Sequence, residues 1–350
     1  MSAKTMWAHV LHRPGVMTFE QRPLPKVREE DVLIRVEAVL TCGTDLKTFR
    51  RGHPIIPLPM TIGHEYAGRV VATGKGVQGF REGDRVATVH SGPCLSCYYC
   101  LRGRENLCET ITSGMVWGGF AEYVRLPQHV HRSNTIHLPE SLSFERSAFL
   151  EPVACVLHGI EQLDLARVQT AAVIGAGPMG LLFLQLLRRA GVPRIIMVGK
   201  RPDRLEEARN LGADVVVDVE YADVLSAVRD ATEGHGADCV VECVGRTEAW
   251  QTAVDLACKG GQILFYGGCP AGSKVSLDTR RIHYDELTIL GTFHFTRAEV
   301  RTAFDLLVAG EVQVDPLISG KYPLSQLSTA FDRLMGGDGI KFLITPEGVD

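Results

Sequence analysis

Four cysteines fall within fifteen residues, spaced Cys94-x-x-Cys97-x-x-Cys100 and then Cys108. Thiolates at that spacing can close a tetrahedron around one soft cation. Such a site is full and leaves no position for a reactant, which is how structural zinc is held. An iron–sulfur centre and unliganded thiols are the competing readings, and the intervening residues bring no second cysteine group. The loop LSCYYCLRGREN carries too few basic residues for a nucleic-acid zinc finger.

A second set of donors stands in Cys42-Gly43-Thr44-Asp45 and Gly63-His64-Glu65. Each lies beside glycine at the edge of an apolar run, where rigid strand ends can hold a ligand. Thiolate, imidazole and carboxylate make a three-donor zinc site with an exchangeable fourth position, the catalytic type. Spacing alone leaves open a buried cysteine, a core histidine and a surface glutamate. Glu151, between Leu150 and Pro152, starts a helix that joins two candidate domains. It can serve the metal directly or through water, or be a helix N-terminal acid favoured by the dipole.

The third constellation is AAVIGAGPMG, Ala171 to Gly180. An apolar strand meets Gly175-x-Gly177-x-x-Gly180, with Pro178 and Met179 opening a helix, the order that holds a dinucleotide pyrophosphate over helix N–H groups. An ordinary glycine loop is the alternative. One strand later, RIIMVGKRPDRL places Gly199, Lys200, Arg201 and Arg204 where an acid would take both ribose hydroxyls. Glycine makes room and the basic groups can pair with a 2'-phosphate, so NADP is preferred and NAD remains open.

These groups need two kinds of scaffold. Up to about residue 150 the chain is rich in glycine, proline and short β-branched runs, as in 31–41, 66–72 and 84–89, which predicts a small antiparallel β domain, closed or partly open. LEPVACVLHGIEQL then reads as a helix. Strands near 171–174, 194–198, 214–217, 238–243, 261–265 and 286–290 alternate with helices near 179–190, 203–211, 222–232 and 247–257. That alternation predicts a mostly parallel, doubly wound sheet. The tail offers a helix over 296–310 and a last strand, IKFLIT.

At 350 residues, with 37 basic and 41 acidic side chains, the chain is long enough for two cores and shows neither a nucleic-acid surface nor a polybasic membrane patch. The N-terminal stretch has no long apolar region, and no apolar run reaches membrane-spanning length, so a cytoplasmic protein is expected. Ten cysteines in a reducing compartment again point to metal.

Together these segments resemble the medium-chain, zinc-dependent alcohol and polyol dehydrogenases over essentially the whole chain. GHEYAGRVVATGKGVQGFREGDRV, the four-cysteine lobe, GAGPMG and GTFHF carry the likeness. It implies an α/β protein with a chaperonin-10-like β-barrel catalytic domain over 1–153, including a structural-zinc lobe at 91–110. A Rossmann domain would follow over 154–293, and 294–350 would return to the catalytic domain. Cys42, His64 and Glu65 match the catalytic-zinc positions, Glu151 the fourth position, and Cys94, Cys97, Cys100 and Cys108 the structural site, about two zinc ions per chain.

The resemblance also implies that Thr44 hydrogen-bonds the substrate oxygen and passes its proton on through the cofactor ribose. Lys47 stands where many relatives continue that relay with histidine. A charged lysine only donates, so it holds a ribose oxygen more readily than it acts as a base. The implied reaction is reversible hydride transfer between a secondary alcohol and a nicotinamide cofactor. Glu65, Glu151 and the polar TDLKTFR context favour a polyol, cyclitol or amino-sugar-like substrate, as in sorbitol dehydrogenase-like or aminocyclitol enzymes, over simple secondary alcohols. Thr48, Arg50, His53 and His294 are candidate substrate residues or solvated surface. A zinc-independent quinone reductase and a non-enzymatic nucleotide-binding protein of the same fold are the remaining alternatives. A homodimer or homotetramer is expected, with a small-molecule substrate and neither nucleic acid nor membrane as partner.

Overall fold

The computed structural model describes residues 5–346. The first and last four residues, which the expected limits of the catalytic domain include, lie outside the described residues. Two compact units divide the chain: one runs to Ala154 and resumes at Phe295, the other is Cys155–His294. The first division falls inside the helix Leu150–Glu161. Among the described residues no helix is long and apolar enough to cross a membrane.

The first unit opens with a hairpin of β1 (Thr5–Arg13) and β2 (Val16–Pro23). Pro14-Gly15 turns it, with Gly15 at a φ of 78°, which glycine reaches without a Cβ clash. Next come β3 (Val32–Leu40), β4 (Glu65–Thr73), β5 (Arg85–Val89), β6 (Tyr123–Leu126) and β7 (Thr135–His137). They pair antiparallel, β6 lying against β3.

The second unit holds β8 (Thr170–Ile174), β9 (Arg194–Gly199), β10 (Val215–Asp218), β11 (Ala237–Glu242), β12 (Ala257–Phe265) and β13 (Thr288–Gly291). All neighbours run parallel in the order 10-9-8-11-12-13. This is the expected doubly wound sheet, with its strand order reversing between β8 and β11, where such sheets bind ligands. The helices Pro178–Arg189, Pro202–Asn210, Val224–Ala231 and Thr247–Leu256 make the crossovers. Buried Leu181, Phe183, Leu184 and Leu187 line the inner side of the first.

The tail rejoins the first unit. Thr296 caps the helix Arg297–Ala309 reciprocally with Glu299, and Gly310 ends it in the left-handed region. Then β14 (Ile318–Pro323) runs parallel to β15 (Lys341–Thr345), and β15 pairs antiparallel with β3. The seven-stranded sheet therefore reads 14-15-3-4-5-7 with β6 on β3; β14 and β7 end the path, so the barrel is partly open. Phe331 and Phe342 from the tail join Ile34, Tyr66 and Phe120 in one core.

Tyr66 is fully buried there, and its hydroxyl has no protein hydrogen-bond partner. Burial alone raises its pKa. An unpaired buried hydroxyl costs roughly 1–3 kcal/mol, so Tyr66→Phe is expected to unfold at an equal or higher temperature. A clear fall in melting temperature would show that the hydroxyl is satisfied.

Candidate active site

Where β3 ends, Cys42 turns the chain into the helix Gly43–Arg51 as its N-cap, with an extended φ of −125°. Its sulfur accepts the Thr44 N–H at 3.4 Å, and Asp45 returns the favour by accepting the Cys42 N–H at 3.2 Å. The other oxygen of Asp45 accepts the Gly63 N–H at 3.3 Å and lies 3.2 Å from His64 Nδ1. Gly63 must be glycine: its φ is 94°, and a Cβ would sit 2.8 Å from the Phe120 nitrogen. One fully buried carboxylate thus orients both the helix cap and the start of β4.

The result is a compact donor set. Cys42, His64 and Glu65 each bring one ligand atom within 4.8 Å of the others. With Nδ1 committed to Asp45, Nε2 is the nitrogen left for a metal. Lys341, on β15 and 1% exposed, forms an ion pair with Glu65 and donates to the Thr41 carbonyl at 2.9 Å. Pairing of β15 with β3 carries it there.

The electrostatics mark a cation site. Burial lowers the His64 pKa, but the Asp45 carboxylate and the Cys42 sulfur outweigh it and hold the imidazole well above its ordinary value. Burial likewise opposes the charge on Lys341, and Glu65, Cys42 and Glu151 together still raise its pKa. A soft thiolate, an imidazole and a carboxylate in so negative a setting fit zinc.

Glu151, the expected fourth ligand, is not among the three clustered donors. Its carboxylate lies 3.7 Å from His90 Nδ1, and its field reaches Lys341. His90 stands 5.1 Å from His64 between ring centroids, and Trp117 is 5.3 Å from both. Phe295 closes on His90 at 6.2 Å. These rings shield one side of the donor set.

Thr44, half-buried, occupies the first turn of the capped helix, and Lys47 is exposed one turn on. Thr48 is fully buried with its hydroxyl on the Thr44 carbonyl at 2.7 Å, which removes it as a substrate group. Arg50 is exposed. Burial first, then Arg51, Lys47 and His64, lowers the pKa of half-buried His53. His294 lies in the second unit at a φ of 66°, stacked on Phe293.

Cys94, Cys97, Cys100 and Cys108 form the other donor set, also within 4.8 Å. Backbone groups aim into it, the Cys94 N–H reaching Cys108 Sγ at 3.3 Å. The backbone N–H and hydroxyl of Ser96 pull the Cys94 thiol down to about 6, while burial and Cys97 push Cys100 up to about 12. Arg297 grips Glu105 at 2.6 Å and ties the lobe to the helix Arg297–Ala309.

In the second unit the glycine turn follows β8. Gly175 has a φ of 111°, and a Cβ at Gly180 would overlap the Gly175 carbonyl. Gly177 caps the helix Pro178–Arg189, with half-buried Pro178 and Met179 in its first turn. A Cβ there would meet only the Arg204 guanidinium, at 3.8 Å. That guanidinium therefore reaches the turn itself. Burial and neighbouring Arg201 push its pKa down to about 10. Arg201 holds a φ of 76°, strained for a side chain of its size, and Lys200 is exposed. Gly199 has a packing reason of its own, since a Cβ would fall 2.7 Å from that of Ala176. The basic side chains, more than the missing acid, carry the preference for a phosphate.

Two functional groups lie outside the residues expected from the sequence. Asp45 stands there only as polar context, although its place three residues after Cys42 is that of a capping box. Lys341 sat inside the apolar run IKFLIT, and a lysine in a buried strand calls for a partner.

Comparison with known proteins agrees with this arrangement. Residues 28–139 match the alcohol dehydrogenase GroES-like domain and residues 178–309 the zinc-binding dehydrogenase model. Sorbitol dehydrogenase of Halalkalibacterium halodurans is 32% identical over 96% of this chain and 97% of its own length. The chain belongs to the zinc-dependent medium-chain alcohol and polyol dehydrogenases. D-arabitol-phosphate dehydrogenase of Enterococcus avium is 34% identical over 98% of both chains. A zinc-binding dehydrogenase of Sinorhizobium meliloti, solved bound to NADP, is 32% identical with a TM-score of 0.89, covering 98% of this chain and all of that one. The protein is a zinc-dependent oxidoreductase that transfers hydride reversibly between a secondary alcohol and a nicotinamide cofactor.

Proposed function

We propose that this family member oxidises a secondary hydroxyl of a polyol, cyclitol or amino-sugar-like compound with NADP, and reduces the matching ketone in reverse. The likeness over nearly the whole chain to relatives named for sorbitol and D-arabitol phosphate is the observation that carries the substrate class. It favours a hydroxyl-rich substrate over an apolar alcohol.

Cys42, His64 and Glu65 would hold the catalytic zinc, with Glu151 at the fourth position directly or through water; the four-cysteine lobe would hold a structural zinc. A zinc ion at the first position supplies a Lewis acid that lowers the pKa of an alcohol oxygen. Asp45 keeps the imidazole in one tautomer and one orientation. Thr44, at the start of the helix that Cys42 caps, would hydrogen-bond the substrate hydroxyl and relay its proton onward as its own hydroxyl proton leaves toward the cofactor ribose, and Lys47 would hold a ribose oxygen. His90, Trp117 and Phe295 exclude water from one side. Gly175, Gly177, Pro178, Met179 and Gly180 receive the pyrophosphate at the helix N-terminus. Gly199, Lys200, Arg201 and Arg204 receive the adenosine 2'-phosphate, in line with the NADP-bound neighbour.

The proposed domain limits are 1–153 and 294–350 for catalysis and 154–293 for cofactor. A homodimer or homotetramer would form partly along an edge of the parallel sheet, which ends on β10 and β13. A reducing cytoplasm suits ten cysteines with no disulfide among them.

Arg204→Ala tests the cofactor reading. Losing a charge-assisted pair to the phosphate should lower kcat/KM for NADP by about 10- to 100-fold, from roughly 1.5–3 kcal/mol per bond, and leave NAD within a few-fold. Equal losses with both cofactors, read as reduced-nicotinamide absorbance, would refute it.

A further inference from the structure

The loops that leave β11 and β12 meet beside the glycine turn, and one buried residue bonds to both, its carboxylate to the first and its main-chain carbonyl to the second. Glu242 ends β11 with no exposure at all. Its Oε1 accepts the Val244 N–H at 2.7 Å and the Gly245 N–H at 2.9 Å. Its carbonyl accepts the N–H groups of Tyr266 at 3.1 Å and Gly267 at 2.8 Å.

Glycine is obligatory where these loops meet. At Gly267 a Cβ would lie 2.6 Å from Glu242 Oε2, and at Gly245 one would lie 2.5 Å from the Gly268 carbonyl. Trp250 fastens the second loop from its other side, donating Nε1–H to the Gly267 carbonyl at 3.0 Å while its ring stacks on Phe265 at 3.9 Å. The first loop then leans on the phosphate turn, since a Cβ at Gly175 would stand 3.0 Å from Val244 Cγ2.

Strand order says which part of the cofactor this wall serves. The basic groups of the adenosine half follow β9, on one side of β8, and these two loops follow β11 and β12, on the other. A dinucleotide spans that reversal point, so its nicotinamide half lies over the two loops. We infer that Glu242 is a positioning residue for the nicotinamide half of the cofactor: its carboxylate bonds the loop 243–245 and packs it against Gly267 of the loop 266–268, which the Glu242 main-chain carbonyl and Trp250 hold in place. The inference rests on the cofactor reading above.

Calorimetric titration of Glu242→Ala with NADPH and with 2',5'-ADP, which carries only the adenosine half, tests it. The variant should bind NADPH about 10-fold more weakly, the scale of losing two buried hydrogen bonds, and bind 2',5'-ADP as wild type does. Glu242→Gln, which keeps an acceptor oxygen for the two N–H groups, should restore most NADPH affinity. Should Glu242→Ala not fold, Trp250→Phe keeps the ring stack, removes only the bond to Gly267, and should show the same selective loss on a smaller scale. Equal weakening toward both ligands, or unchanged NADPH affinity in the variants that fold, would overturn the inference. A wild-type protein that binds NADH and ignores 2',5'-ADP would instead refute the NADP reading, and the same titrations with NADH against 5'-AMP would then decide the clamp.

Discussion

Replacing Asp45 by alanine is expected to weaken zinc binding at Cys42, His64 and Glu65 by about 10- to 100-fold, the usual scale for groups that orient metal ligands. This carboxylate touches the Cys42 N–H, the Gly63 N–H and His64 Nδ1. Its loss frees the helix cap, the turn before β4 and the imidazole tautomer together. Turnover should fall with the metal, while binding of 2',5'-ADP, which carries only the adenosine half assigned to the other unit, stays near wild type. The lobe should keep its zinc, so metal analysis should read close to one ion per chain in place of two. Two ions per chain with wild-type kcat would show that Asp45 does not position the donors.

Lys341→Met should be the most destabilising single change at the site. In the metal-free protein Glu65 would remain buried at 1% exposure without a cation, and breaking a buried pair costs roughly 3–5 kcal/mol. Urea unfolding reads that loss directly. The double variant Lys341→Met with Glu65→Leu should regain most of the stability, because an apolar pair of similar volume is often neutral or better. It should not regain turnover if Glu65 serves the metal. A Lys341→Met protein as stable as wild type would mean that Glu65 is satisfied by other groups.

These two residues also show where the sequence stops being legible. The glycine turn and the alternating strands and helices of 171–290 are local patterns, each period reporting its own element, and the parallel sheet follows from them. The four-cysteine lobe is equally local. Lys341 and Glu65 are 276 residues apart, and only the pairing of β15 with β3 brings them together. The helix Gly43–Arg51 escaped notice because its cap is a cysteine, outside the Ser, Thr, Asp and Asn that normally mark a helix start. The β1–β2 hairpin, absent from the expected strands, is marked by Pro14-Gly15 between two β-rich runs. Gly199 shows the opposite hazard. Its lack of a side chain suggested room for a phosphate, yet Ala176 alone demands glycine there.

The central claim is that the Cys42, His64 and Glu65 cluster and the glycine turn serve one NADP-linked oxidation of a hydroxyl-rich substrate. The most direct test is initial-rate formation of reduced nicotinamide by the zinc-loaded protein, over linear polyols, inositols and aminocyclitols, with NADP and NAD in parallel. Turnover of at least one of these classes, faster with NADP, is expected, with loss of that turnover in Cys42→Ala. Turnover confined to simple apolar alcohols, a marked preference for NAD, or an active Cys42→Ala protein would contradict the claim.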